Sequence, residues 1–185
     1  MRLSRRDWIE AGLVALGEGG VAAVAVEPLA KRLAATKGSF YWHFTNRNDL
    51  FTAVLELWEQ RETTQVLEAL QALPDPRSRL GALGRSAYAR ASRGGAHAAL
   101  LAAADDPRIA PVLQRVTHAR LGALESLFGE TGSTPEEARR RARLAYSVYL
   151  GIAALRRSEP DDQPDEHEIG QRVELFVDTV VPPAR

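Results

Sequence analysis

The sequence predicts an all-α protein of about nine helices, and three observations carry the prediction. Apolar residues recur at three- and four-residue intervals through most of the chain, strict apolar–polar alternation is nearly absent, and Gly and Pro clusters punctuate the chain at helix-length intervals.

Taken in order, Ile9, Leu13 and Leu16 form one face of a first helix expected over 5–17, with Ser4 as its N-cap and Gly17, Gly19 and Gly20 as its stop. A short second helix starts near Val26. Pro28 is tolerated in its first turn, and Leu29, Ala30 and Leu33 follow. Ala34 and Ala35 interrupt it, and Thr36 caps a third helix ending near Trp42. A fourth, longer helix runs from about Asn48 to Leu73, where Pro74-Asp75-Pro76 removes donors and ends it. Helices follow over about 77–93 and 96–104. Asp105-Asp106-Pro107 reads as a turn into a helix starting at Pro107 or Arg108, which carries Ile109, Val112, Leu113, Val116, Leu121, Leu124, Leu127 and Phe128. Thr134, Pro135 and Glu137 make a capped start for a helix ending near Arg157. Residues 158–165 are a polar loop, and the last helix, with Ile169, Val173, Phe176, Val177 and Val180 on one stripe, stops at Pro182-Pro183.

Composition narrows the function classes. The 185 residues carry 24 Lys and Arg against 24 Asp and Glu, and no Cys. A chain of this length buries only about two-thirds of its unfolded surface, so a second domain should lean on the first or on a partner subunit. Without Cys there is no disulfide, thiolate zinc site or cysteine nucleophile. His97, His118 and His167 have no partner at metal-ligand spacing, so no metal is expected. The H-E-x-x-H, G-x-x-x-x-G-K-[ST], G-x-S-x-G and G-x-G-x-x-G motifs are all absent, so neither an enzyme nor a nucleotide cofactor is expected. No run approaches the roughly 18 apolar residues of a membrane span, and the basic N-terminus lacks a secretory apolar stretch; a cytoplasmic protein is expected. The Arg139-Arg140-Arg141-Arg143 cluster reads as a solvated helix face balanced by Glu136 and Glu137.

The informative stretch is V-E-P-L-A-K-R-L-A-A-T-K-G-S-F-Y-W-H-F-T-N-R-N, from Val26 to Asn48. Two short helices joined by a tight turn form a helix-turn-helix, whose second helix can enter a major groove. Thr36, Lys37, Gly38 and Ser39 open that helix. Gly38 lets DNA approach without a Cβ in the way, Tyr41 and His43 offer hydrogen-bonding tips, Trp42 offers a ring, and Arg47 can reach a phosphate. Phe40, Phe44, Leu29 and Leu33 are at core spacing. Arg2, Arg5 and Arg6 form a basic arm that reads as a solvated terminus with a minor-groove alternative. The first fifty residues are +2 and the remainder −2, a mild asymmetry.

At L-A-K-R-L-x-x-T-K-G-S-F-Y-W-H-F-x-N-R the chain resembles the TetR family of bacterial transcriptional repressors, and the specific resemblance extends over roughly residues 2–62. The resemblance implies a DNA-binding domain over 2–62 and a larger helical ligand-binding and dimerisation domain over 63–185. It implies contact with a double-stranded operator through Thr36, Lys37, Gly38, Ser39, Tyr41, Trp42, His43 and Arg47. Two positions depart from the family pattern. Ala34 stands where the turn usually holds glycine, and Ala25 where a phosphate-touching Ser or Thr is common; together they keep open a helical small-molecule binding protein that has lost its operator.

In the C-terminal half, Leu144, Val148, Ile152 and Leu155 form one apolar stripe and Ile169, Val173, Phe176 and Val180 another. Either stripe can face the protomer's own core; the resemblance implies that both pair with their symmetry mates in a homodimer. Two recognition helices on a palindrome also double the contacts available to one. Trp58, Tyr88, His97, His118, Tyr146 and Tyr149 are the candidates to line a pocket for a small-molecule effector, expected to be apolar or aromatic.

Overall fold

The computed structural model describes residues 3–92, 95–159 and 161–181, with the side chains of 90–92 excluded. Arg2, the expected helix end at residue 93 and the Pro182-Pro183 stop lie outside the described residues. The helices are α1 (Arg5–Ala23), α2 (Val26–Arg32), α3 (Lys37–Tyr41), α4 (Arg47–Glu59), α5 (Gln65–Gln71), α6 (Pro76–Ser92), α7 (Ala96–Ala102), α8 (Ala110–Glu130), α9 (Pro135–Ser158) and α10 (Glu166–Val180). A π-helical stretch, Gln60–Thr64, joins α4 to α5 without a break, so the described residues hold nine separate helical runs and no strand.

Local chemistry sets the ends. Ser4 and Asp7 form a reciprocal capping box at the start of α1. Its backbone and hydroxyl donors hold the Asp7 carboxyl below its usual range. α1 runs past the expected stop at Gly17 because a glycine ends a helix only where the backbone leaves helical angles. That happens at Gly20, with φ 72° and ψ −166°. α8 starts later than expected, at Ala110. The Asp106 carboxylate accepts from the Arg108 backbone N–H at 2.9 Å and holds residues 107–109 in a turn. Thr134 and Asp165 cap α9 and α10 by accepting from Glu137 and Glu168 backbone N–H groups.

The chain forms two compact units. The first comprises Met1–Glu62 with Gly94–Arg115, the second Thr63–Arg93 with Val116–Arg185. A single division at residue 62 would assign 94–115 to the second unit. The chain instead returns α7 to α1, where the Gly95 N–H donates to the Gly17 carbonyl at 3.3 Å, and buries Leu100 and Ile109 completely.

The first unit is centred on Trp8, Leu16, Phe40, Phe44, Leu50, Phe51, Val54 and Trp58, each at most 1% exposed. Gly12 lets α1 lie against α4, since a Cβ there would come within 2.6 Å of Val54 Cγ2. The second unit packs Leu80 of α6, Leu124, Leu127 and Phe128 of α8, Ala138, Ala142, Ala145 and Tyr146 of α9, and Val173, Val177 and Val180 of α10 into one cluster. The small residues on α9 allow the close helix approach that such a core needs.

Candidate nucleic-acid interface

The turn between α2 and α3 is a helix C-cap. The Ala35 N–H donates to the Ala30 carbonyl and the Ala34 N–H to the Lys31 carbonyl, a Schellman arrangement that requires a left-handed residue. Ala34 occupies that position with φ 49°, the one non-glycine residue at positive φ among the described residues. Thr36 then caps α3, its hydroxyl accepting from the Ser39 N–H at 3.2 Å. Ala25 opens α2 with no side-chain cap.

α3 is oriented by its aromatic side. Phe40 meets Trp8 edge-on at 5.4 Å and stacks on Phe44 at 5.3 Å, and both phenylalanines are buried. The opposite side is therefore turned outward. Tyr41 is 62% and Trp42 79% exposed, and Thr36, Lys37 and Gly38 are exposed beside them. A Cβ on Gly38 would meet only Thr36 Oγ1, at 3.7 Å, so no internal packing requires glycine there.

The charged candidates are engaged within the protein. Lys37 Nζ is paired with the Glu27 carboxylate of α2; the contact raises the Lys37 pKa and lowers that of Glu27. Arg47 donates from Nε to the Val24 carbonyl at 2.6 Å and from Nη2 to the Val21 carbonyl at 2.7 Å, closing the end of α1. Arg47 is half-buried, and these two donors face the protein's own backbone. His43 Nε2–H donates to the Leu3 carbonyl at 3.0 Å, tying α3 to the N-terminal arm. Arg5 lies over the Phe44 ring at 4.8 Å and 3.9 Å from Asp49, so this part of the arm is docked on the helix-turn-helix.

The six effector candidates are distributed over both units. Trp58 and His97, with ring centroids 5.5 Å apart, belong to the first unit. Tyr88, Tyr146 and Tyr149 belong to the second, where Tyr146 and Tyr149 stack at 5.8 Å, and His118 is exposed on α8. Sequence reasoning missed Arg120. This buried side chain donates to the Thr63 hydroxyl at 3.0 Å and lies over the Tyr149 ring at 5.1 Å. Its signal was present, because it interrupts the apolar stripe Val116, Leu124, Leu127 at the i, i+4 position.

The two interface stripes also separate. On α9, Leu144, Val148 and Leu155 are exposed and Ile152 half-buried. On α10, Val173 and Val180 belong to the second unit's own core, with Ile169 and Phe176 packed against it; Leu175, outside the expected stripe, is 69% exposed. Among the described residues no cluster of His, Asp and Glu has metal-binding geometry, and no helix is long and apolar enough to cross a membrane.

Residues 9–54 match the family model described as bacterial regulatory proteins, tetR family. The HTH-type transcriptional regulator AcrR of Shigella flexneri is 32% identical over 76 residues, covering 40% of this chain; the match spans only 35% of that protein's length. Among solved structures, a transcriptional regulator from Rhodococcus superimposes with a TM-score of 0.77 at 20% identity, covering 96% of each chain. A TetR-family transcriptional regulator from Streptomyces coelicolor gives 0.76 at 19% identity, covering 96% of this chain and 87% of its own. Sequence likeness is thus concentrated at the helix-turn-helix, while likeness of fold extends over nearly the whole chain.

Proposed function

We infer that this chain, a member of the TetR family of bacterial regulatory proteins, is a transcriptional repressor that binds a palindromic operator as a homodimer and is released by a small molecule. The observation that carries this reading is the solvent-facing side of α3. Phe40, with Phe44 just beyond the helix, is consumed by the core, and Tyr41 and Trp42 stand exposed where a structural helix would cover such rings. With Arg47 committed to the backbone, DNA contact falls mainly to neutral groups: the hydroxyls of Thr36, Ser39 and Tyr41 on phosphates, the uncovered backbone at Gly38, and the Trp42 ring.

The homodimer would form through the exposed apolar positions Leu144, Val148 and Leu155 of α9 and Leu175 of α10, with Gly151, Ala153 and Ala154 permitting close approach. A two-fold dimer presents two recognition helices to half-sites one helical turn apart, about 34 Å. An effector in the second unit, beside Tyr88, Tyr146, Tyr149 and Arg120, would act by favouring a conformation that breaks this spacing. The protein would act in the cytoplasm, where its operator is.

Selection of bound duplexes from a random pool tests the reading. A recovered palindrome with half-sites one turn apart supports binding and symmetry together, whereas a pool with no enriched sequence overturns the assignment.

A further inference from the structure

We propose that Glu27 is an internal stand-in for a DNA phosphate: its carboxylate holds Lys37 Nζ, DNA must displace it to use that charge, and Glu27 thereby sets the protein's general affinity for DNA. The inference rests on the DNA-binding reading above and names a residue that lowers affinity rather than one that adds a contact.

The argument begins with the charges of the helix-turn-helix. Lys37 and Glu27 pair across ten residues of sequence, from the start of α3 to the start of α2, and both side chains are well exposed, at 60% and 72%. Neither is therefore needed to neutralise a buried partner, and the pair stands on the side from which DNA would arrive. The contact lowers the Glu27 pKa and raises that of Lys37, so each holds the other in its charged form. A carboxylate oxygen on an ammonium group is also the geometry a phosphate oxygen would adopt.

The other described cations of the first fifty residues mostly repeat the pattern. Arg32 is paired with Glu18, Arg6 lies 3.4 Å from Glu10, Arg5 lies 3.9 Å from Asp49, and Arg47 is spent on carbonyl oxygens. Among the described cations up to residue 50, Lys31 alone has neither an acidic nor a carbonyl partner. Non-specific DNA binding draws essentially all its free energy from phosphate neutralisation and counterion release. A face whose cations already carry internal anions exchanges one ion pair for another on binding and releases fewer counterions. Weak non-specific binding and a shallow salt dependence follow, leaving discrimination to the neutral donors of α3.

The test measures fluorescence anisotropy of the full-length protein on two duplexes of equal length, the selected operator and an unrelated sequence, across a salt series. Glu27→Gln should tighten both, by about 2- to 30-fold for two protomers at 0.1 M salt. The slope of log K against log salt should steepen by about 0.9 per protomer. Adding Lys37→Met to the same protein should abolish both gains, and Glu68→Gln, an equal change of charge on the exposed surface of α5, should give neither. Wild-type affinity and slope in Glu27→Gln would overturn the proposal, as would gains that survive Lys37→Met or that Glu68→Gln reproduces. Failure of wild type and variant alike to bind either duplex is a distinct outcome, which overturns the DNA-binding reading itself.

Discussion

Arg47 Nε donates to the Val24 carbonyl oxygen at 2.6 Å, so the side chain that opens α4 closes the end of α1. Its Nη2 does the same for Val21 at 2.7 Å. Both carbonyls lie beyond the Gly20 break, and the Val21 carbonyl also accepts from the Val24 N–H at 3.3 Å. Arg47→Ala should therefore lower stability by about 1–3 kcal/mol, the cost of taking the side-chain donor from the carbonyl of buried Val24, as read from urea unfolding. It should leave the slope of operator affinity against salt unchanged. A shallower slope with undiminished stability would instead put Arg47 on a phosphate.

Ala34 carries a different strain. At φ 49° a Cβ crowds its own backbone, whereas glycine tolerates that region freely. Ala34→Gly should stabilise the protein by about 1 kcal/mol, less the extra freedom that glycine gives the unfolded chain. A β-branched replacement, Ala34→Val, should destabilise it. Thermal melting of the three proteins checks the order Gly, Ala, Val; a melting temperature that falls in Ala34→Gly would show that the turn is not strained.

These two residues show what the sequence could and could not reveal. The helix-turn-helix was legible because its signals are local: a capping Thr36, the interruption at Ala34 and Ala35, and phenylalanines four residues apart at 40 and 44. Arg47's partners lie 23 and 26 residues away, and Glu27 lies ten from Lys37. No periodicity relates such positions, so the sequence shows the cations Lys37 and Arg47 but not the internal partner that each takes. The return of 94–115 to the first unit was hidden for the same reason, being decided by α7 meeting α1. On α10, the 3.6-residue period located an apolar stripe correctly but could not say which neighbour it faces.

That stripe separates assembly from folding. Val173 and Val180 are buried in the second unit, while Leu155 is 58% and Leu175 69% exposed. Val173→Asp should unfold the second unit, because an unpaired carboxylate cannot be buried there without losing several kcal/mol. Leu155→Glu with Leu175→Glu should leave far-UV circular dichroism and the cooperative melt intact but yield a monomer in sedimentation, with operator affinity lost alongside. A double variant that still sediments as a dimer would move the interface away from these helices.

The last prediction concerns acid. Arg108 holds the Asp106 carboxylate through its side chain, with Nε at 2.9 Å, and through its backbone N–H, also at 2.9 Å, lowering the Asp106 pKa from 3.8 to about 2. A carboxyl depressed on folding contributes stability that is complete above its ordinary pKa and lost as pH falls through the folded one. The window here is about pH 4 to 2. Over it the contact that depends on Asp106 should weaken, because Arg108 also donates from Nη1 to Asn48 at 2.7 Å and lies 5.0 Å over the Phe51 ring, joining the turn before α8 to the start of α4. In carbon-detected NMR the Asp106 carboxyl signal should stay at its ionised position between pH 5 and pH 3, where the ordinary carboxylates titrate. Arg108→Ala removes the larger cause, the side-chain bond, and should make the same signal move within that interval. Asn48→Ala should not, since Asn48 touches the arginine and not the acid. An Asp106 signal that titrates in the wild-type protein above pH 3 would show that the turn is not held by this pair.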